Sequence, residues 1–449
     1  MKDKAVKEKI YLYAIMAAGV LLRLFYVIFS TIYDRQYDIG QIDLDAGHTV
    51  SGGHLAYIQF IYHNGLPDFD PTTVYQFHHP PLHHLICATW MKFCSLFVKN
   101  TDVLEESIQI IPFVCSLLTL WVIYKIVCRF ELTDRAKCLV MAIFAFHPSL
   151  VMFSGSVNND SMALLFTVLI VYLTMCWSVT RSWSSIVLLA FSIGLGMLVK
   201  QNVAEMAFPV AVVFLYVLIK NWADVKGRKR LISQFAVFGC ISIPIGMSFY
   251  VRNLVKFNMS MFWVYEIGED SWQYTGNVPV INRFLWPVPS EMVDNLLHFK
   301  LGCGYNVWMQ IIRTSVLGEW DMANVGKVIK LLAVFLMLIG AALAFMAFCA
   351  FVKEFLIGGV EKKIGTEYAL LFVVGYFVNM ICYLMFAYNY PQECSMNFRY
   401  ITITILFPAV ALGLWMQNGN CKWMKKIAGL TTLAFSLCGV LMVGCWLFV

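Results

Sequence analysis

Residues 37–84 decide how this chain folds, and they read YDIGQIDLDAGHTVSGGHLAYIQFIYHNGLPDFDPTTVYQFHHPPLHH. They form the only long polar interruption in the first third of a very apolar sequence. Charged residues make up 13% of the chain and histidine occurs nine times, so acids and imidazoles are scarce elsewhere. Their concentration beside an apolar run indicates chemistry at a membrane surface. The acids and histidines of this stretch are Asp38, Asp43, Asp45, His48, His54, His63, Asp68, Asp70, His78, His79, His83 and His84.

Apolar runs around this stretch are long enough to cross a bilayer. Of the 449 residues, 60% are hydrophobic, and a soluble domain cannot bury that much apolar surface. The net charge of +6 is small for this length and argues against a nucleic-acid partner. We therefore expect an all-α polytopic membrane protein, a bundle of about eleven transmembrane helices in the lipid bilayer. The predicted spans are 10–30, 108–128, 138–157, 161–180, 184–200, 203–220, 231–251, 326–352, 367–388, 399–416 and 427–448.

The positions of lysine and arginine predict the orientation of this bundle. Basic residues precede the first span, and an excess of them marks cytoplasmic ends. The orientation of the later spans depends on whether the borderline run 81–98 crosses the membrane. If it does not cross, the basic loops all lie on the cytoplasmic side; if it does, they all lie outside. We therefore interpret 81–98 as an interfacial helix whose polar edge faces water. The N-terminus is then cytoplasmic and the C-terminus outside. The long loops 31–107 and 252–325 both lie on the outer face of a single integral membrane domain, 1–449.

Asp38 is the carboxyl group that comes soon after the first span. A carboxylate at a membrane boundary can accept a proton from a hydroxyl if it stays ionised, and a basic neighbour favours the ionised form. The alternative is a solvated loop acid or a helix cap. Asp43 and Asp45 are rival carboxylates at helical or turn spacing, and a structural role is the stronger interpretation for each of them.

The segment His78-His79-Pro80-Pro81-Leu82 closes the polar stretch. Proline is tolerated in the first turn of a helix, so the two prolines open a helix and present the histidines at its mouth. Metal binding by these histidines is an alternative. However, adjacent histidines point apart on a helix, and no carboxylate stands at the spacing that zinc proteases use. We therefore expect neither a metal nor another cofactor.

Together these motifs resemble the first outer loop of the GT-C glycosyltransferases. The closest subgroup contains the protein O-mannosyltransferases and the aminoarabinose transferase of lipid A. One departure is Ile39, which stands where many members carry a second acid directly after the first. The similar elements are the aspartate after the first span, Gly53-His54-Leu55, His79-Pro80-Pro81-Leu82, Asn159-Asp160 and Phe398-Arg399-Tyr400.

The resemblance implies a glycosyltransferase whose donor is a sugar linked to a polyprenyl phosphate. The sequence has no glycine-rich nucleotide site, in agreement with a lipid-linked donor. By the resemblance, Asp38 is the general base: it deprotonates the acceptor hydroxyl, which attacks the anomeric carbon and inverts it. The transferred unit would be a hexosyl or pentosyl group, and the acceptor a protein, a glycolipid or a wall polymer.

A departing lipid phosphate needs cationic stabilisation, for which Arg399 and Lys200 are the candidates. The guanidinium of Arg399, at the start of a late span, suits bidentate phosphate binding; the alternative is an interface anchor. Lys200 ends an apolar run on the predicted outer side, and the alternative is a lysine that snorkels to the interface. Asp160 could instead cap its helix. The residues expected to bind substrate or shape the site are His79, Asp160, Asp43, Tyr400 and Glu319.

Two other functions compete with this interpretation. A secondary transporter or flippase of lipid-linked substrates would carry ionisable residues near the membrane midplane. Here most spans have no charge at their centres, with Arg23 as an early exception, and the polar residues gather at outer ends. A ligase or polymerase of lipid-linked glycans would share the outer-loop geometry. The absence of an appended lumenal domain favours a bacterial plasma membrane over the endoplasmic reticulum.

Overall fold

The computed structural model describes residues 2–34, 38–40, 42–43, 49–50, 52–298, 302–318, 320, 322, 325–357 and 365–448. Within these ranges the regular structure is helical, apart from one isolated bridge and one antiparallel pair of two-residue strands, Ile42–Asp43 and Thr49–Val50. The predicted all-α class is thereby confirmed. The α-helices are Lys2–Phe29, His54–Asn64, Leu82–Cys94, Thr101–Glu106, Ile110–Cys128, Asp134–Phe146, Pro148–Met152, Asp160–Thr180, Trp183–Val199, Ala207–Lys220, Val225–Phe257, Val280–Phe284, Pro289–Val293, Val307–Leu317, Lys327–Phe351, Thr366–Asn389, Leu406–Asn418 and Lys422–Phe448. The 3₁₀ segments are Pro71–Thr73, Ser107–Gln109, Gln201–Met206, Cys394–Met396 and Phe398–Ile405, and the π segments are Asp294–His298 and Val352–Ile357.

Nine helical segments in the described part of the chain are long and apolar enough to cross a membrane, as expected of an integral multi-pass protein. The predicted span 184–200 is a helix of 17 residues, Trp183–Val199, which is shorter than these nine. The predicted span 138–157 is interrupted. The total of eleven spans therefore stays a prediction. The nine segments are Val6–Phe29, Thr101–Cys128, Asp160–Thr180, Gln201–Lys220, Val225–Phe257, Lys327–Ile357, Thr366–Asn389, Cys394–Asn418 and Lys422–Phe448.

Pro148 causes the interruption of the predicted span 138–157. Proline has no N–H to donate, so the helix Asp134–Phe146 ends before it and its last carbonyl groups need other partners. The buried Arg23 supplies two of them, donating to the carbonyl oxygens of Phe144 at 2.9 Å and Ala145 at 2.8 Å. The charge that stood out within the first span therefore stabilises a broken helix in the bundle.

The helix Leu82–Cys94 is the element predicted at 81–98. Its 13 residues would cover about 20 Å at about 1.5 Å per residue, which is too short for a hydrocarbon core of about 30 Å. The expectation that its polar edge faces water is wrong for His83 and His84, which are fully buried, whereas Lys92 is exposed. The helix packs against His54–Asn64, and His83 donates from Nε2 to the carbonyl oxygen of Val157 at 2.7 Å.

The first loop has a hydrophobic core of its own, apart from the main core of the bundle. It is formed mainly by the helices His54–Asn64 and Leu82–Cys94, and it also includes Ile32 and Val157 from neighbouring segments. Because this core fixes the loop as a folded layer, the loop can hold side chains in defined positions at the end of the bundle.

Candidate active site

A cavity of about 620 Å³ lies between the first loop, the second loop and the ends of several spans. Its volume falls within the range of small-molecule sites, roughly 300–1,000 Å³. One part of its wall is polar and contains both carboxyl and basic groups, and another part is aromatic and apolar. The residues that line it include Asp38, His54, Tyr75, His78, His79, Lys200, Glu205, Phe262, Trp263, Tyr265, Cys382, Met385, Phe386, Arg399 and Tyr400.

The backbone of Asp38 is held by the start of the helix His54–Asn64. The amide of His54 donates to the Asp38 carbonyl oxygen at 2.7 Å, and the amide of Leu55 donates to that of Ile39 at 2.8 Å. Gly53 permits this close approach: its φ is +124°, and a Cβ there would lie 2.3 Å from the Ile39 carbonyl oxygen. The Gly53-His54-Leu55 motif therefore positions the acid.

The side chain of Asp38 is paired on both oxygens. Arg399 donates from Nη2 to Oδ2 at 2.8 Å, and the Tyr75 hydroxyl donates to Oδ1 at 2.8 Å. Burial by itself would raise the pKa of Asp38. The charge of Arg399, aided by the hydrogen bonds from Tyr75 and Arg399, outweighs burial and leaves this pKa below its ordinary value. Asp38 is therefore ionised at neutral pH, as a proton acceptor must be.

Arg399 also connects Asp38 to a second ion pair. The ammonium of Lys200 donates to Oδ1 of Asp160, and Arg399 Nη1 lies 3.9 Å from Asp160 Oδ2. Asp160 is in the first turn of its helix, where the helix dipole favours a negative charge, and Lys200 directly follows the helix Trp183–Val199. Acids and bases thus alternate in the order Asp38, Arg399, Asp160, Lys200. All four side chains are at most 14% exposed.

The predicted site-shaping role of His79 is compatible with its place in the wall of the cavity. Its ring stacks on that of His54 at 5.4 Å, and His54 Nδ1 lies 2.9 Å from His84 Nε2. Burial lowers the pKa values of His79 and His54 well below the usual range, and it lowers that of His78 to about 4. These imidazoles are therefore neutral near pH 7 and add no charge to the ion pairs beside them.

The other predicted site residues divide between the cavity and the part of the chain that is not described. Tyr400 lines the cavity, and Lys200 Nζ lies 4.8 Å from the centre of its ring, a cation–π distance. Asp43 pairs through its backbone with Thr49, but its side chain lies outside the described residues, as does all of Glu319. Among the residues that are described, no cluster of three or more His, Cys, Asp or Glu could hold a metal ion.

Tyr75 and Glu205 line the cavity, although the sequence did not lead us to predict either of them as a site residue. Tyr75 had no local signal, because its role depends on a hydrogen bond to a residue 37 positions away. Glu205 did have a signal: it is a lone acid inside the predicted span 203–220, and an ionisable residue within a span marks a functional site.

Comparison with known protein families finds a match in sequence over part of the chain. Residues 78–246 match the sequence profile of the family described as dolichyl-phosphate-mannose-protein mannosyltransferase. No curated protein sequence matches the chain.

Solved structures provide the likeness in fold. The oligosaccharyltransferase of Archaeoglobus fulgidus in its apo form superposes with a TM-score of 0.53 and 13% identity, over 97% of this chain and 56% of the other. Its form tethered to an acceptor peptide superposes with a TM-score of 0.53, 14% identity and coverage of 97% and 55%. ArnT from Cupriavidus metallidurans gives a TM-score of 0.40 with 15% identity, over 90% and 76%. The chain spans little more than half the length of the archaeal enzyme. It is similar to the GT-C glycosyltransferases, in fold along nearly its whole length and in sequence over residues 78–246.

Proposed function

We propose that this protein transfers a single sugar from a polyprenyl-phosphate donor to an acceptor hydroxyl. The observation that carries the proposal is the pairing of Asp38 with Arg399 inside a cavity that also contains Lys200. This arrangement combines an ionised base with cationic side chains that can bind a phosphate group. The description of the matching family, which names a mannosyl unit on dolichyl phosphate, supports the class of donor.

In the proposed reaction, Asp38 accepts the proton of the acceptor hydroxyl. The hydroxyl oxygen forms a bond to the anomeric carbon while the bond from that carbon to the phosphate oxygen breaks. The electron pair of the broken bond stays with the polyprenyl phosphate, which leaves, and the anomeric configuration inverts. General-base catalysis of this kind contributes roughly 10²–10⁴-fold to a rate.

Arg399 and Lys200 would stabilise the phosphate as its charge develops. The guanidinium of Arg399 is planar and forked, so it can contact Asp38 and a phosphate oxygen at the same time. Lys200 is paired with Asp160 through a single carboxylate oxygen. Its ammonium has three donors, so it can bind a phosphate oxygen as well.

The apolar part of the cavity offers a route for the polyprenyl chain. Met385 and Phe386 line the cavity from the helix Thr366–Asn389, and Met385 is 58% exposed. An apolar side chain exposed on a membrane span faces lipid. A lipid tail could therefore pass from the bilayer to the ion pairs without crossing a polar surface.

The remaining expectations from sequence are part of the same proposal. The acceptor is a hydroxyl of a protein, a glycolipid or a wall polymer on the outer face of a bacterial plasma membrane. The chain acts there as one domain, 1–449, with a cytoplasmic N-terminus, an outer C-terminus and the outer loops 31–107 and 252–325.

Replacement of Asp38 by asparagine tests the proposed function. Asp38→Asn keeps the shape of the side chain and removes the proton acceptor, so transfer from a polyprenyl-phosphate sugar should fall about 10³-fold, within the usual range for a general base. The measurement is product formation by purified protein in lipid nanodiscs, with polyprenyl-phosphate mannose as the first donor.

The matched control is Asp102→Asn, which changes an exposed acid outside the cavity and should keep full activity. Full activity of Asp38→Asn together with loss in Asp43→Asn would assign the base to Asp43. Movement of the donor across vesicle membranes without any transfer would favour a flippase instead.

A further inference from the structure

Glu205 is a cavity residue that the proposed mechanism does not use. Among the described residues, Glu205 and Asp38 are the two acids that line the cavity. Glu205 lies near the end of the 3₁₀ segment Gln201–Met206, which begins directly after Lys200. A phosphate-binding candidate therefore directly precedes this short element, and an acid lies near its other end.

The surroundings of Glu205 do not satisfy its carboxyl group. The side chain is partly buried, and no hydrogen bond or ion pair joins it to another described residue. Cys382, Met385 and Phe386 face the same cavity and offer it no strong donor. The side-chain amide of Asn379 contacts Met206, the residue after Glu205, but it donates its hydrogen bond to the Gly375 carbonyl oxygen. A carboxyl group that lines a cavity and has no partner from the protein is available to a ligand that donates hydrogen bonds, and water or a ligand must satisfy it.

The backbone spacing between Lys200 and Glu205 is comparable with the length of one sugar together with its phosphate. A 3₁₀ helix rises about 2.0 Å per residue, so five residues separate the two backbone positions by about 10 Å along the cavity wall. A single glycosyl unit whose phosphate lies at Lys200 and Arg399 can reach across this distance with its hydroxyl groups. Those hydroxyl groups are donors of the kind that Glu205 needs.

We infer that Glu205 forms a second polar subsite, which accepts hydrogen bonds from the hydroxyl groups of the donor sugar and so selects the glycosyl unit. This inference rests on the proposed function, since it takes the donor to be a polyprenyl-phosphate sugar. Sites that hydrogen-bond a substrate hydroxyl discriminate strongly against analogues that lack it, because the site's own polar group is then left unpaired.

The test compares the binding of polyprenyl phosphate with the binding of the same lipid phosphate carrying a sugar. Affinities for polyprenyl phosphate and for polyprenyl-phosphate mannose are measured on the full-length protein in nanodiscs, with glucose, galactose and arabinose donors in parallel. Glu205→Ala should weaken binding of the transferred sugar donor by up to about tenfold, the upper end of the effect of losing a hydrogen bond between neutral groups, and should leave the affinity for polyprenyl phosphate unchanged. Glu205→Gln keeps an accepting oxygen and should lose less affinity for the sugar donor.

Two further variants provide the controls. Lys200→Gln should weaken both ligands, because the phosphate is common to them, and Glu131→Ala, which changes an exposed acid elsewhere, should weaken neither. Three outcomes in Glu205→Ala would each overturn the inference. They are an equal loss of affinity for both ligands, no change in either affinity, and a change in the KM of the acceptor alone. A wild-type protein that transfers none of the four sugars would contradict the proposed function itself, which is a separate result.

Discussion

Arg399 contacts both acids of the ion-pair cluster, so at the scale of single residues it has the largest influence on the charge of the proposed base. The guanidinium approaches Asp38 at 2.8 Å and Asp160 at 3.9 Å. Arginine suits this position because its fork can meet two carboxylates, whereas lysine offers a single point of charge. Removing it would leave Asp38 buried beside Tyr75 without its main cation.

We predict that Arg399→Ala moves the acid limb of the pH–activity profile to higher pH. Asp38 acts as a base only when ionised, so activity falls as the pH drops through its pKa. Burial raises that pKa once the opposing charge of Arg399 is gone. Arg399→Lys keeps a positive charge and should shift the limb less. The measurement is kcat/KM against pH, which reports the free enzyme.

Arg135→Ala is the matched control for this experiment, because Arg135 is exposed and lies outside the cavity. Its profile should coincide with that of the wild-type protein. An acid limb that stays in place in Arg399→Ala would show that Arg399 does not hold Asp38 ionised.

At the scale of elements, the turn before the helix His54–Asn64 determines where Asp38 lies. Gly53 and Gly65 flank this helix and both have positive φ, +124° and +81°. They differ in the space around them. A Cβ on Gly53 would meet the backbone of Ile39, whereas a Cβ on Gly65 would meet nothing within 4 Å.

We predict that Gly53→Ala destabilises the protein more than Gly65→Ala and lowers transfer activity more than tenfold. Gly65→Ala carries only the conformational cost of a non-glycine residue at positive φ, about 1–3 kcal/mol. Gly53→Ala adds a clash that must displace the segment carrying Asp38. Thermal unfolding midpoints and activities of the two variants check this prediction, and equal effects on both would contradict it.

At the scale of the whole molecule, the buried histidines make stability depend on pH. His54, His78, His79, His83 and His84 lie together in the first loop with pKa values lowered by burial, and those of His78 and His83 are about 4. In the unfolded chain a histidine titrates near its ordinary value of about 6.5. Between these values the unfolded state binds more protons than the folded state.

The protein should therefore be fully stabilised by these groups above about pH 6.5 and lose that stabilisation as the pH falls toward about 4. We expect the thermal unfolding midpoint in nanodiscs to drop steadily across this window. His83→Gln keeps a donor for the Val157 carbonyl oxygen but cannot titrate, so its midpoint should depend less on pH. The same slope in both proteins would exclude His83 as a contributor.

Much of the overall architecture was accessible from sequence because it depends on local patterns. Apolar runs of sufficient length predict membrane helices wherever they occur, since the bilayer requires every backbone polar group to be bonded within the segment. The same reasoning singled out residues 37–84 and the span ends, and the resemblance to the GT-C glycosyltransferases then indicated Asp38, Lys200 and Arg399 as candidates. It failed at Pro148, where a tertiary contact from Arg23 stabilises an interruption that hydropathy does not reveal.

By itself, then, the sequence determined the membrane class, because composition and run length act over a few turns of chain, and its resemblance to the GT-C glycosyltransferases named the candidate acid and the candidate cations. Only the tertiary structure decided how the candidates pair. Asp38 and Arg399 are 361 positions apart, and their contact depends on how the spans pack. The tertiary structure also placed His83 and His84 inside a core and brought Tyr75 and Glu205 to the cavity. Burial and long-range contacts are properties of the packed chain, and no local pattern of residues encodes them.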